Sequence, residues 1–151
     1  ASLFRLKELA DSDEMSDRAH FEVNFWSPLT LMKLFARQGL SEGAVINLLD
    51  QEVLQASPHG GAYSLSRRAL AEATLELARE LGPRNLRFNA VAPGPVLPPV
   101  GLEDSRMVKT LPTVPLRRKV ELDDLARTVL FLASNDSITG AILNVDGGQH
   151  L

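Results

Sequence analysis

Tyr63 and Arg67 stand four residues apart in the run Ala62-Tyr63-Ser64-Leu65-Ser66-Arg67-Arg68. Helical positions i and i+4 share a face, so a phenol and a permanent cation project together into whatever cleft that helix borders. A cation beside a phenol favours the phenolate, which is how a group that normally titrates at about 10 can exchange a proton at neutral pH. The pair alone would suit any solvated helix face, so its meaning depends on what surrounds it. Asp50 closes an apolar run upstream, and Asn89-Ala90-Val91-Ala92-Pro93-Gly94 follows downstream.

The elements that must position these residues alternate between helix and strand, the pattern of a parallel sheet covered by helices. Ser16 is the candidate N-cap of a helix running to about Gln38, with Gly39 as its stop. Pro28 falls inside it, so the helix either kinks there or divides into two. Ala44–Leu49, apolar except for Asn47, reads as a strand buried on both faces. A helix from Ala62 to Leu81 ends at Gly82-Pro83, and Leu86–Ala92 is a second strand. The segment from Pro95 to Pro115 reads as a loop with at most one short helix. Leu122, Leu125, Ala126, Val129, Leu132 and Ala133 give helical spacing over 121–134, and Ala141–Val145 is the last strand. In open parallel sheets ligands bind beyond the carboxyl ends of the strands, which is where Asp50 and Pro93-Gly94 fall.

From Phe21 almost to the C-terminus the chain resembles the short-chain dehydrogenase/reductase family. The matching pieces come in the family's order: Val23-Asn24 in a helix, Val45-Ile46-Asn47-Leu48-Leu49-Asp50, Tyr63-Ser64-Leu65-Ser66-Arg67, and Arg87-Phe88-Asn89-Ala90-Val91-Ala92-Pro93-Gly94. Ile138-Thr139-Gly140 and Val145-Asp146-Gly147-Gly148 complete the set. The resemblance implies an α/β fold, the C-terminal part of a Rossmann-like doubly wound parallel sheet, with residues 1–151 forming one partial domain, its substrate and nicotinamide half. The family opens with a strand and a glycine-rich turn whose N–H groups hold a pyrophosphate; no G-x-G-x-x-G occurs here. Ala1-Ser2-Leu3-Phe4 is similar to the stretch after the family's fourth strand, so the chain is expected to be the C-terminal part of a larger enzyme. The resemblance also implies a nicotinamide cofactor and a homodimer or homotetramer.

By the same resemblance, Tyr63 matches the general acid and Asn24 the helix asparagine that supports a water-mediated proton relay. Pro93, Gly94 and Val96 match the backbone that meets the nicotinamide end of the cofactor. Two positions depart from the family's majority. Where most members carry serine, this chain has Asp50, as in pteridine and dihydromonapterin reductases. A carboxylate accepts hydrogen bonds from a pterin ring N–H or amino group, whereas a ketone needs a donor. Arg67 replaces the family's lysine, which binds the nicotinamide ribose and lowers the tyrosine's pKa; guanidinium is planar, bulkier and permanently charged, so the exchange is not conservative. The leading expectation is an NADPH-dependent reductase of pterin or dihydrofolate-type substrates. A 3-ketoacyl-type carbonyl reductase, or a catalytically inactive relative or partner subunit, stands as the alternative.

Composition narrows the classes. The 151 residues are 44% hydrophobic, enough for one core. A net charge of −3 leaves no electrostatic footprint for nucleic acid or an anionic membrane. With no cysteine, disulfides and thiolate metal sites are excluded. The sequence contains no apolar run of the roughly 18 residues that span a bilayer and no signal-peptide pattern at its start, which makes a cytoplasmic location the default.

Overall fold

The computed structural model describes residues 2–54, 60–97 and 105–151. Its sheet has three parallel strands in the order β1-β2-β3: β1 Gly43–Leu48, β2 Leu86–Pro93 and β3 Ile142–Val145. The helices are α1 Glu14–Phe21, α2 Ser27–Ala36, α3 Gly61–Leu81, α4 Ser105–Thr110 and α5 Leu122–Ser134. This is the expected α/β arrangement, with strand and helix bounds within a residue or two of those read from the sequence.

The first helix differs in two ways. Its N-cap is Asp13, whose carboxylate accepts the Ser16 N–H at 2.8 Å, so Ser16 lies inside the first turn instead of capping it. An aspartate three residues before a free N–H satisfies that donor and also complements the helix dipole. Between α1 and α2 the backbone widens into a π turn, Glu22–Trp26, closed by Ser27 N–H and Oγ on the Glu22 carbonyl. Pro28 has no N–H to return to the preceding turn, and the widened turn absorbs that loss. Gly39 follows with φ +71, the left-handed geometry that ends the unit.

Strand β2 is buried along nearly its whole length because helices cover both faces. Leu86, Phe88, Ala90 and Ala92 pack with Met32 and Ala36 of α2 and with Leu70, Ala71 and Ala78 of α3. Alternation turns Arg87 and Asn89 to the other face. There Arg87 donates to the Leu132 and Ala133 carbonyls at 2.8 and 2.7 Å, satisfying the C-terminal end of α5. Asn89 bonds Ile138 O and Ala141 N at 2.8 and 2.9 Å, and Thr139 Oγ1 accepts the Phe88 N–H. The Arg87-x-Asn89 and Ile138-Thr139-Gly140 motifs therefore brace each other and fix where β3 begins. Of the loop expected over 95–115, α4 and a 3₁₀ turn at Leu111–Thr113 are formed, and residues 98–104 lie outside the described residues. Among the described residues no helix is long and apolar enough to cross a membrane.

Candidate active site

All three strands end at one edge of the sheet, and the segments leaving them surround a cavity of about 490 Å³. Asp50 and Gln51 follow β1, Pro93–Leu97 close and follow β2, and Gln149 follows β3. Tyr63 enters from the first turn of α3, while Met107, Thr110, Leu122 and Leu125 supply much of the apolar wall from α4 and α5. Polar groups are few and convergent, the usual make-up of a small-molecule site.

At its centre the Tyr63 phenol donates to Asp50 Oδ2 at 2.6 Å. Tyr63 is 4% exposed, and a buried hydroxyl of this kind needs a partner such as that carboxylate. Phe4 stands edge-on to Tyr63, ring centroids 4.8 Å apart, and forms another wall. Its position traces to Asn24, which is fully buried. Asn24 Oδ1 accepts the Leu3 N–H at 2.8 Å, and its Nδ2 donates to Leu3 O at 2.9 Å and Ser66 Oγ at 3.2 Å. Asn24 thus holds the N-terminal segment as a neighbouring strand would. Gly61 completes the fit, for a Cβ there would lie 2.0 Å from the Lys7 carbonyl.

Arg67 is brought to the same strand end, but its Nη2 donates to the Leu48 and Leu49 carbonyls at 2.6 and 3.0 Å. It is 8% exposed and does not line the cavity. The i, i+4 pair is therefore divided: Tyr63 faces the cavity and Arg67 faces the backbone that leads into Asp50. Asn24 likewise stands behind the wall.

Pro93, Gly94 and Val96 all line the cavity. Gly94 is required by a close approach, since a Cβ would meet Asp146 Cα at 2.7 Å. Asp146, 3% exposed, spends its carboxylate on Gly148 N, His150 N and His150 Nδ1, which shapes the turn that delivers Gln149 to the cavity. Among the described residues, neither the backbone of Val96 nor the side chains of Gln51 and Gln149 are hydrogen-bonded within the chain. Phe4, Gln51 and Gln149 were not singled out from sequence. The signal available for Gln149 was the Asp146-Gly147-Gly148 turn; Phe4 is recruited by a contact 59 residues long in sequence and left no local sign.

Residues 3–150 match the family model described as enoyl-(acyl carrier protein) reductase. The chain belongs to the short-chain dehydrogenase/reductase family. It is 33% identical over 135 residues to Protein FixR of Bradyrhizobium diazoefficiens, covering 87% of this chain and 48% of FixR. To the L-xylulose reductase of Caenorhabditis elegans it is 33% identical over 137 residues, 85% of this chain and 55% of that protein. The fold superposes with a TM-score of 0.93, at 37% identity, on the crystal structure of FolM alternative dihydrofolate reductase 1 from Brucella canis complexed with NADP. That match covers 99% of this chain and 60% of the other. The chain thus spans about half the length of the curated relatives it matches.

Proposed function

We propose that the protein carrying this chain is an NADPH-dependent reductase of pterin or dihydrofolate-type substrates. The observation that carries the reading is the Tyr63 phenol donating to Asp50 Oδ2 at 2.6 Å on the cavity wall. It places a proton donor and an anionic acceptor side by side, which suits a heterocycle offering ring N–H and amino donors next to a nitrogen that must gain a proton. A ketone has only an acceptor to offer and would leave Asp50 facing a carbonyl oxygen. The likeness to FolM supports the same substrate class.

The residues present fit the cofactor's nicotinamide end. A carboxamide needs one donor and one acceptor, and the Val96 backbone, on a residue that lines the cavity, offers an N–H and a C=O with no hydrogen bond among the described residues. Bound NADPH would supply hydride to a substrate carbon. Tyr63 holds the matching proton at Oη for the adjacent nitrogen, Asp50 takes the substrate's donors, and Phe4 gives a flat ring an apolar, aromatic wall. Gln51 and Gln149 offer carboxamides of mixed donor and acceptor character for the remaining polar edge. Subunit pairing into a homodimer or homotetramer belongs to the same proposal.

The test is NADPH consumption by the full-length protein, offered dihydrobiopterin, dihydrofolate or a 3-ketoacyl thioester. Turnover with either pterin-containing substrate is the expected result. Turnover confined to the thioester would replace this reading with the carbonyl-reductase one, and no turnover with NADPH bound would support the inactive relative.

A further inference from the structure

Arg67 occupies the place of the family's lysine, but its bonds describe a different task. Along β2 the N–H groups of Ala90 and Gly94 donate to β3, at Ala141 O (2.8 Å) and Val145 O (3.0 Å). Groups alternate along a strand, so Ala92 also faces β3, while Val91 and position 93 face β1, where Leu49 N donates to Val91 O at 2.8 Å. The next rung of that parallel ladder runs from the N–H of residue 93 to Leu49 O. Residue 93 is proline and has no N–H. Leu49 is 3% exposed, so water does not serve its carbonyl readily, and a buried acceptor without a donor is costly. Arg67 Nη2 supplies the donor at 3.0 Å and takes Leu48 O at 2.6 Å as well.

We infer that Arg67 is a positioning residue that replaces the rung lost at Pro93 and so clamps the strand end that presents Asp50 to Tyr63. The inference rests on the reductase reading for its catalytic consequence but not for the clamp itself. Its Nε is buried without a partner among the described residues, a cost that the two Nη2 bonds must offset. Asp50 is the residue next after the two clamped carbonyls, so loosening them loosens the carboxylate that meets the phenol at 2.6 Å.

The experiment uses the full-length protein and the variants Arg67→Met, Pro93→Ala and their combination. Alanine at 93 restores an N–H to the ladder, so the stability lost in Arg67→Met should be at least half recovered in the combination, read from thermal unfolding as a double-mutant cycle. Independent losses that simply add would overturn the clamp. Should Arg67→Met alone not fold, recovery of folding by Pro93→Ala supports the clamp and failure in both backgrounds refutes it. For catalysis, Arg67→Met should lower kcat for dihydrobiopterin about tenfold, while the Kd for NADPH changes less than about twofold. That loss should vanish in an Asp50→Ser background. A large loss of NADPH affinity with kcat retained would instead give Arg67 a cofactor contact and sink the proposal. If the parent protein turns over no pterin, the functional reading fails and the unfolding cycle alone decides the clamp.

Discussion

Replacing Asp50 by serine separates the readings most sharply. The parent carboxylate accepts the Tyr63 hydroxyl at 2.6 Å, a short, charge-assisted contact on the cavity wall. Hydrogen bonds to charged groups contribute about 1.5–3 kcal/mol, and about 1.4 kcal/mol is a factor of ten in rate. Serine ends one bond nearer the backbone and carries a single neutral oxygen, so it neither reaches the phenol as well nor accepts two substrate donors. If both groups act on a pterin in the transition state, kcat/KM for dihydrobiopterin falls about ten- to a hundredfold in Asp50→Ser. NADPH affinity should stay within about twofold, because the backbone proposed to meet the nicotinamide follows β2 and not β1. Reduction of a 3-ketoacyl thioester should hold steady or rise, since serine can donate to a carbonyl oxygen. The assay is NADPH absorbance with each substrate, plus fluorescence titration for cofactor affinity. Equal dihydrobiopterin turnover by variant and parent would refute the role given to Asp50 and the pterin reading with it.

Tyr63→Phe removes the proton at Oη and should lower kcat by about 10²–10⁴-fold with little change in NADPH affinity, measured by the same assay. Asn24→Ala removes the side-chain partner of the Leu3 N–H and C=O and one of the Ser66 hydroxyl's two partners, and empties the fully buried place of Asn24 itself. Thermal unfolding should show a loss of about 1–3 kcal/mol, and KM for the pterin should rise as Phe4 loses its anchor. Gly94→Ala drives a methyl into Asp146 and should separate the ends of β2 and β3, seen as a lower Tm and a higher KM together.

The sheet and its covering helices were legible because their signals are local. Asn47 interrupts an otherwise apolar run, Gly82-Pro83 stops α3, and Pro93-Gly94 ends β2, each within a few residues of the element it marks. Asp13 and Ser16 share the same capping chemistry, and the choice between them depends on where the chain enters the helix. Tyr63 and Asp50 were each legible through the family resemblance and not as partners of one another; the structure joins them by a hydrogen bond. The direction of Arg67 was not legible. Helical spacing puts it on the same side as Tyr63, but a long side chain chooses among acceptors by three-dimensional proximity, and the unfilled acceptor at Leu49 exists only because β1 lies beside Pro93.

That choice of acceptor bears on whether arginine here marks a working site or a disused one. Burying a guanidinium away from carboxylates costs several kcal/mol unless its donors find acceptors. Arg67 is 8% exposed; its Nη2 serves two carbonyls, one of which Pro93 would otherwise leave unserved, and its Nε stays unserved among the described residues. A lysine would bring a compact ammonium instead, without a planar group to lie across the strand end. Arginine therefore suits this strand end for a reason independent of catalysis, and its presence alone is no sign of lost function. What bears on function is the face it leaves to the cavity: the phenol, the carboxylate and, without hydrogen bonds among the described residues, the Val96 backbone and the Gln51 and Gln149 carboxamides. If the parent protein binds NADPH and dihydrobiopterin yet transfers no hydride, the convergence is a binding site only, and Arg67→Lys would not restore turnover, because the clamp and not the charge is what that position supplies.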